Sequence, residues 1–99
     1  MQKDVSVTVT PGVGITVDPT TPIALKKNQD TVEWKATTKD QQFTVVLPAG
    51  EPSVACSFQG SKWTCVAGPF TTGSAPRSLK YDITATNAPT LDPDLEIFP

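Results

Sequence analysis

Histidine is missing from all 99 residues of this chain. With it go the usual general base near neutral pH, the usual partner of a nucleophilic Ser or Cys, and the commonest transition-metal ligand. Catalytic triads, zinc sites and blue-copper sites built in the ordinary way are excluded, and we expect neither an enzyme nor a cofactor. Methionine occurs once, at Met1, and cysteine twice. Charged residues make up 18% of the chain, below the usual ~25%. Ten acids and eight bases, for a net charge of −2, are scattered along it. No Lys/Arg cluster offers a stripe for phosphates, so nucleic acid is not an expected partner. The longest basic run, Lys26-Lys27, reads as a guard on an edge strand. No apolar run approaches the ~18 residues of a membrane span.

What is present favours strands. Ten Pro and six Gly punctuate a Thr-rich sequence with 37% hydrophobic residues, and Thr, being β-branched, suits extended backbone. Residues 1–99 fit one domain. Period-two alternation recurs almost throughout. It covers Val5, Val7 and Val9; Val13, Ile15 and Val17; Ile23 to Leu25; Val32, Trp34 and Ala36; Phe43, Val45 and Leu47; Leu79, Tyr81, Ile83 and Ala85; and Leu95 with Ile97. Turn-rich stretches, among them Asp18-Pro19-Thr20-Thr21-Pro22, separate these segments. Apolar residues nowhere follow the helical period over a helical length. The expected fold is all-β, a sandwich of about eight short strands or a small barrel.

Cys56 and Cys65 flank a strong hairpin signal. With Gly60-Ser61 at the centre of a two-residue turn, Gly in first place suits type II′. Counting outward pairs Gln59 with Lys62, Phe58 with Trp63, Ser57 with Thr64, and Cys56 with Cys65. The cysteines then occupy a non-hydrogen-bonded pair, where side chains approach closest, a spacing that a disulfide accepts. The same register sets Phe58 against Trp63. An oxidised pair implies a secreted, periplasmic or cell-surface setting. Two buried thiols in a cytosolic protein are the alternative. The chain does not open on a secretory leader, so export would mean a leader removed ahead of Met1.

From Val32 onward the sequence resembles the cupredoxins, the plastocyanin- and azurin-like Greek-key β-sandwiches. Thr31-Val32-Glu33-Trp34 is similar to that family's Val-x-Trp strand. The stretch from Asp40 to Leu47 resembles the segment carrying its first copper-binding His. Leu79-Lys80-Tyr81-Asp82-Ile83 resembles its Tyr-x-Tyr-x-Cys strand, and Leu95-Glu96-Ile97 its closing strand. Carried over position by position, the first His falls on Phe43 and the Cys on Ile83. The second His falls near Thr86 or Asn87, and the Met near Leu91. None supplies an imidazole or a thiolate, and blue copper needs both. The resemblance therefore implies a sandwich whose copper pocket is filled by apolar packing, with no electron transfer. An immunoglobulin-like sandwich is the rival fold, although Cys56 and Cys65 are too close for its inter-sheet bridge.

Other chemistry is sparse. Asp92, Asp94 and Glu96 alternate along an extended segment, and such oxygens can hold Ca²⁺. Without an EF-hand loop they read instead as a solvated, charge-guarded edge. Ser61-Lys62 and Ser78-x-Lys80 place Ser and Lys badly for a dyad, and Gly12-Val13-Gly14 is a turn rather than a phosphate cradle. The longest irregular stretch, residues 68–77, offers Phe70, Thr72 and Arg77 as contacts for a partner, with Phe70 more readily a buried anchor. Thr72-Gly73 and the 18–21 stretch are similar to one loop of chagasin-type protease inhibitors, whose other motifs are lacking. The expectation is a non-catalytic binding or structural module with a protein partner engaged by loops 37–42, 68–77 and 87–93 at one end. The alternative is a self-assembling surface or fimbrial-type subunit, its amino-terminal third or closing strand pairing at an edge.

Overall fold

The computed structural model describes residues 1–20 and 22–99; Thr21, within the turn-rich 18–22 connection, lies outside the described residues. The described residues form eleven strands and no helix. In chain order these are β1 (Gln2–Thr10), β2 (Gly14–Asp18), β3 (Ile23–Lys26), β4 (Thr31–Ala36), β5 (Thr44–Val46), β6 (Ala55–Gln59), β7 (Lys62–Ala67), β8 (Arg77–Lys80), β9 (Asp82–Ala85), β10 (Ala88–Leu91) and β11 (Asp94–Phe98). They build an all-β sandwich. One layer is a five-stranded sheet in the order β2-β1-β4-β7-β6, and the other consists of two three-stranded sheets, β10-β9-β5 and β3-β11-β8.

Alternation decides which face each strand buries. Val5, Val7 and Val9 of β1 are buried, as are Val32, Trp34 and Ala36 of β4, while Ser6 and Lys35 between them are exposed. The strand β1 lies antiparallel to β2 and parallel to β4. Between β2 and β3 the chain changes layers, and β3 then runs parallel to the closing strand β11. The hairpin of β6 and β7 has the register read from the sequence, with Gln59 opposite Lys62, Phe58 opposite Trp63 and Cys56 opposite Cys65. The cysteines are disulfide-bonded with Cα atoms 4.0 Å apart, as a non-hydrogen-bonded pair allows. At Gly60 φ is +65°, and Ser61 keeps an ordinary φ, which fits the type II′ turn. The Phe58 and Trp63 rings meet edge to face, 5.0 Å between centroids.

The second layer departs from the sequence reading in an instructive way. Residues 79–85 alternate as one strand, yet they are divided at Tyr81 into β8 and β9. The cause lies opposite. Asp94 faces Lys80 and Leu91 faces Ile83 in a single continuous register, so Pro93 falls across from Tyr81. The Tyr81 N–H donates to the Pro93 carbonyl at 3.0 Å, but proline has no N–H to return the bond. The ladder breaks there. The same register sets Asp82 across from Asp92, a like-charge pair of the kind that opposes sheet formation. Hydrogen bonding to Asp92, aided by desolvation and by its charge, holds the Asp82 carboxyl above its ordinary 3.8.

The two layers meet at Trp34, fully buried, and Tyr81, 3% exposed. The Trp34 Nε1–H donates to the Tyr81 hydroxyl at 2.9 Å, and the rings pack with centroids 5.4 Å apart. Burial pushes the Tyr81 phenol up to about 12, so it stays protonated across the physiological range. The substitution Tyr81→Phe leaves the indole N–H buried without a partner and should cost ~1–3 kcal/mol in urea unfolding; an unchanged midpoint would show the bond to be dispensable. For Asp82→Asn the sign follows from the raised acid. The folded chain prefers the protonated form, so the wild-type contribution favours folding at low pH and is lost as pH rises through the folded pKa. The variant should therefore melt higher than wild type at neutral pH, with the gap closing below the ordinary 3.8. A pH-independent gap in melting scans would refute that account.

Candidate functional site

Strand direction sorts the loops between the two ends of the sandwich. The strand β4 starts at Thr31 and carries the chain to the end where residues 37–42 lie. The Thr37 N–H bonds to the Val7 carbonyl and the Asp40 N–H to the Ser61 carbonyl, both at 2.9 Å. The Lys62 ammonium donates to the Thr37 carbonyl at 2.6 Å. At this same end the Gly12 N–H meets the Asn87 carbonyl at 2.6 Å. Loop 37–42, the tip of the β6–β7 hairpin and the turns at Gly12 and Asn87 therefore sit together. Asn87 turns with φ +62°, a conformation Asn tolerates.

Loop 68–77 does not join them, contrary to the expectation of a single loop cluster. The strand β7 returns the chain to where β4 began, with Ala67 opposite Val32, so Gly68 emerges beside Thr31 at the opposite end. Gly68 has φ +118°, and a Cβ there would lie 3.0 Å from the Thr31 Cα, so only glycine fits without displacement. Phe70 is fully buried, and its carbonyl accepts from the Asn28 N–H at 2.8 Å: it is an anchor. Arg77 is bound bidentately by Glu51, at 2.8 and 3.0 Å, and its Nε donates to the Thr71 carbonyl. The Thr72 hydroxyl closes its own turn onto the Ala75 carbonyl at 2.7 Å. All three candidate contact residues thus hold the loop itself.

The positions aligned with copper ligands do come together. Thr44 faces Thr84 and Val45 faces Ile83 on β5 and β9, so Phe43 continues that register toward Ala85. Leu91 faces Ile83 from the other side. Phe43 is 2% exposed and Ile83 fully buried, Leu91 packs against the same core, and Thr86 and Asn87 form the turn above them. Hydrocarbon fills this corner. None of the aligned positions Phe43, Ile83, Thr86, Asn87 and Leu91 carries an imidazole or a thiolate. Among the described residues no group of three or more His, Cys, Asp or Glu side chains is placed to hold a metal ion. The alternating acids are also dispersed: Asp94 pairs with Lys80 at 3.3 Å, and Asp92 lies against Asp82.

Beside the filled corner lies an open groove of about 360 Å³, lined by Gln42, Phe43, Thr44, Trp63, Thr84, Ala85 and Thr86. Its wall is closed by the Trp63 Nε1–H, which donates to the Phe43 carbonyl at 2.6 Å and ties β7 to the approach of β5. Trp63 belongs to the hairpin strand β7, and Phe43 immediately precedes β5. Nothing in their spacing, 20 residues apart, joins them. The groove offers hydroxyls, an amide and aromatic surface, and no titratable side chain. Trp63→Phe keeps the contact with Phe58 but removes the link to Phe43; we expect a loss of ~0.5–1.5 kcal/mol in urea unfolding, and no loss would show that the groove wall stands without it.

The chain gives no match to any protein-family model, and no curated protein matches it in sequence.

Proposed function

We propose that this chain is a copper-free, cupredoxin-like module that binds or scaffolds a protein partner without catalysis, in an oxidising setting outside the cytosol. The carrying observation is the chemistry of the gathered end. Phe43, Ile83, Asn87 and Leu91 converge where the resemblance would put copper, and the adjoining groove presents only neutral side chains. A threonine hydroxyl without a base is a poor nucleophile, and hydrocarbon is no ligand for copper. What such a surface can do is recognise shape and neutral hydrogen-bonding groups.

Two further observations support the reading. The described residues form an all-β sandwich with a five-stranded sheet in one layer and two three-stranded sheets in the other, an architecture compatible with the sandwich that the resemblance implies. The Cys56–Cys65 disulfide is compatible with an oxidising compartment. No helix among the described residues is long and apolar enough to cross a membrane.

Titration of the purified, disulfide-bonded protein with Cu(II), and with Cu(I) under reductant-free anaerobic conditions, tests the reading. We expect no stoichiometric binding and no intense visible absorption. One equivalent of tightly held copper would overturn it, because a donor set would then have to exist where Phe43 and Ile83 lie.

A further inference from the structure

We propose that β6 is a docking edge that pairs antiparallel with β6 of a second copy of this chain, across a two-fold axis at Ser57. The inference stands on β6 alone and goes beyond the copper-free reading, so either can fail without the other.

A sandwich exposes the outer strand of every sheet, and proteins blunt such edges with charge, proline, shortness or cover. Five of the six edges here are blunted. The strands β2 and β10 pack against each other, β3 carries Lys26 and leads into Lys27, β8 carries Arg77 and Lys80, and β5 has only three residues. The strand β6 has five residues, Ala55-Cys56-Ser57-Phe58-Gln59, without charge or proline, and it keeps an unbroken register with β7. It ends the five-stranded sheet.

The hairpin fixes which backbone groups face outward. Ser57 and Gln59 sit in hydrogen-bonded pairs with β7, whereas Cys56 and Phe58 occupy the non-hydrogen-bonded positions. The N–H and C=O of Cys56 and Phe58 therefore point away from β7, and no other backbone partner takes them among the described residues. An occupant must be an extended strand offering the same alternation, and β6 reversed upon itself is one. Cys56 then opposes Phe58 of the second copy and Phe58 opposes its Cys56, four hydrogen bonds in all, with Ser57 facing Ser57 on the axis. Shifting this register by two residues either way moves bonds onto Val54 or Gly60, outside the strand. On the inner face, Phe58, 43% exposed, lies over the disulfide of the other copy, a favourable sulfur–aromatic contact. No charge in the strand meets its own kind. The pairing is isologous and closes at two copies, and its short edge makes it a weak, concentration-dependent dimer.

Sedimentation velocity of the full disulfide-bonded chain over a rising concentration series tests this. We expect a monomer–dimer equilibrium without larger species. Ser57→Lys, which puts two ammonium groups face to face on the axis, should weaken dimerisation by about tenfold or more. Val46→Lys, on the β5 edge, should leave it unchanged. Circular dichroism and melting of each variant separate a lost interface from a lost fold. Ser57→Cys supplies a second readout: Cα atoms at a facing non-hydrogen-bonded position lie ~4.5 Å apart, so mild oxidation should yield a covalent dimer linked there. A chain that stays monomeric at every concentration and gives no covalent dimer would overturn the proposal. So would a dimer indifferent to Ser57→Lys, or growth into open-ended oligomers.

Discussion

The hydrogen bond from Trp34 to Tyr81 is the point on which the two layers agree. Trp34 stands at the centre of the five-stranded sheet, beside Val5 on β1 and Cys65 on β7. Tyr81 stands in the second layer across from Pro93. A buried indole N–H must find an acceptor or destabilise the fold by the cost of desolvating it. The tyrosine hydroxyl is that acceptor, and no buried side-chain polar atom among the described residues is left unpaired. One contact thereby couples the disulfide hairpin on one side to the proline-broken ladder on the other.

The rest of the core is nonpolar and packs around that pair, so charge is confined to the surface and to loop ties. Asp30 shows how such ties work. Its carboxylate accepts the Lys26 N–H at 2.8 Å in the turn that joins β3 to β4. That bond, with nearby positive charge, holds the carboxyl below its ordinary value. The carboxylate is thus favoured where it closes a turn, and Asp82 is disfavoured where it faces another acid. In both cases the neighbour across the backbone decides the sign.

The two ends of the sandwich differ in kind. At one end, residues 68–77 are tied down by a buried Phe70, by the Arg77–Glu51 pair and by a glycine that leaves no room for a side chain. At the other, the hairpin tip, loop 37–42 and the Asn87 turn frame a groove with neutral walls. The disulfide ties β6 to β7 in the hairpin whose tip lies at that end, and β6 itself keeps backbone groups facing solvent. Rigidity and unpartnered hydrogen-bonding capacity coincide on one strand, and binding surfaces are built from that combination.

How much of this was legible beforehand depends on the range of the interaction. Alternation at Val5 to Val9, Val32 to Ala36 and Leu79 to Ala85 announced strands and their buried faces, because side chains in extended backbone point to opposite sides in turn. The hairpin register, and with it the Cys56–Cys65 bond, followed from a two-residue turn at Gly60-Ser61, since every group involved lies within a few residues of it. The lack of histidine was plain at once and leaves no imidazole anywhere in the chain. Only the tertiary structure decided that Pro93 would face Tyr81 and break a strand, that Asp82 would meet Asp92, that Trp63 would reach Phe43, and that loop 68–77 would part company with loop 37–42. It also decided that β6 would lie at an edge while β11 is held between β3 and β8. These outcomes depend on which distant strands become neighbours. Sequence spacing fixes the period of a strand but not its partner; burial of both layers against each other selects that.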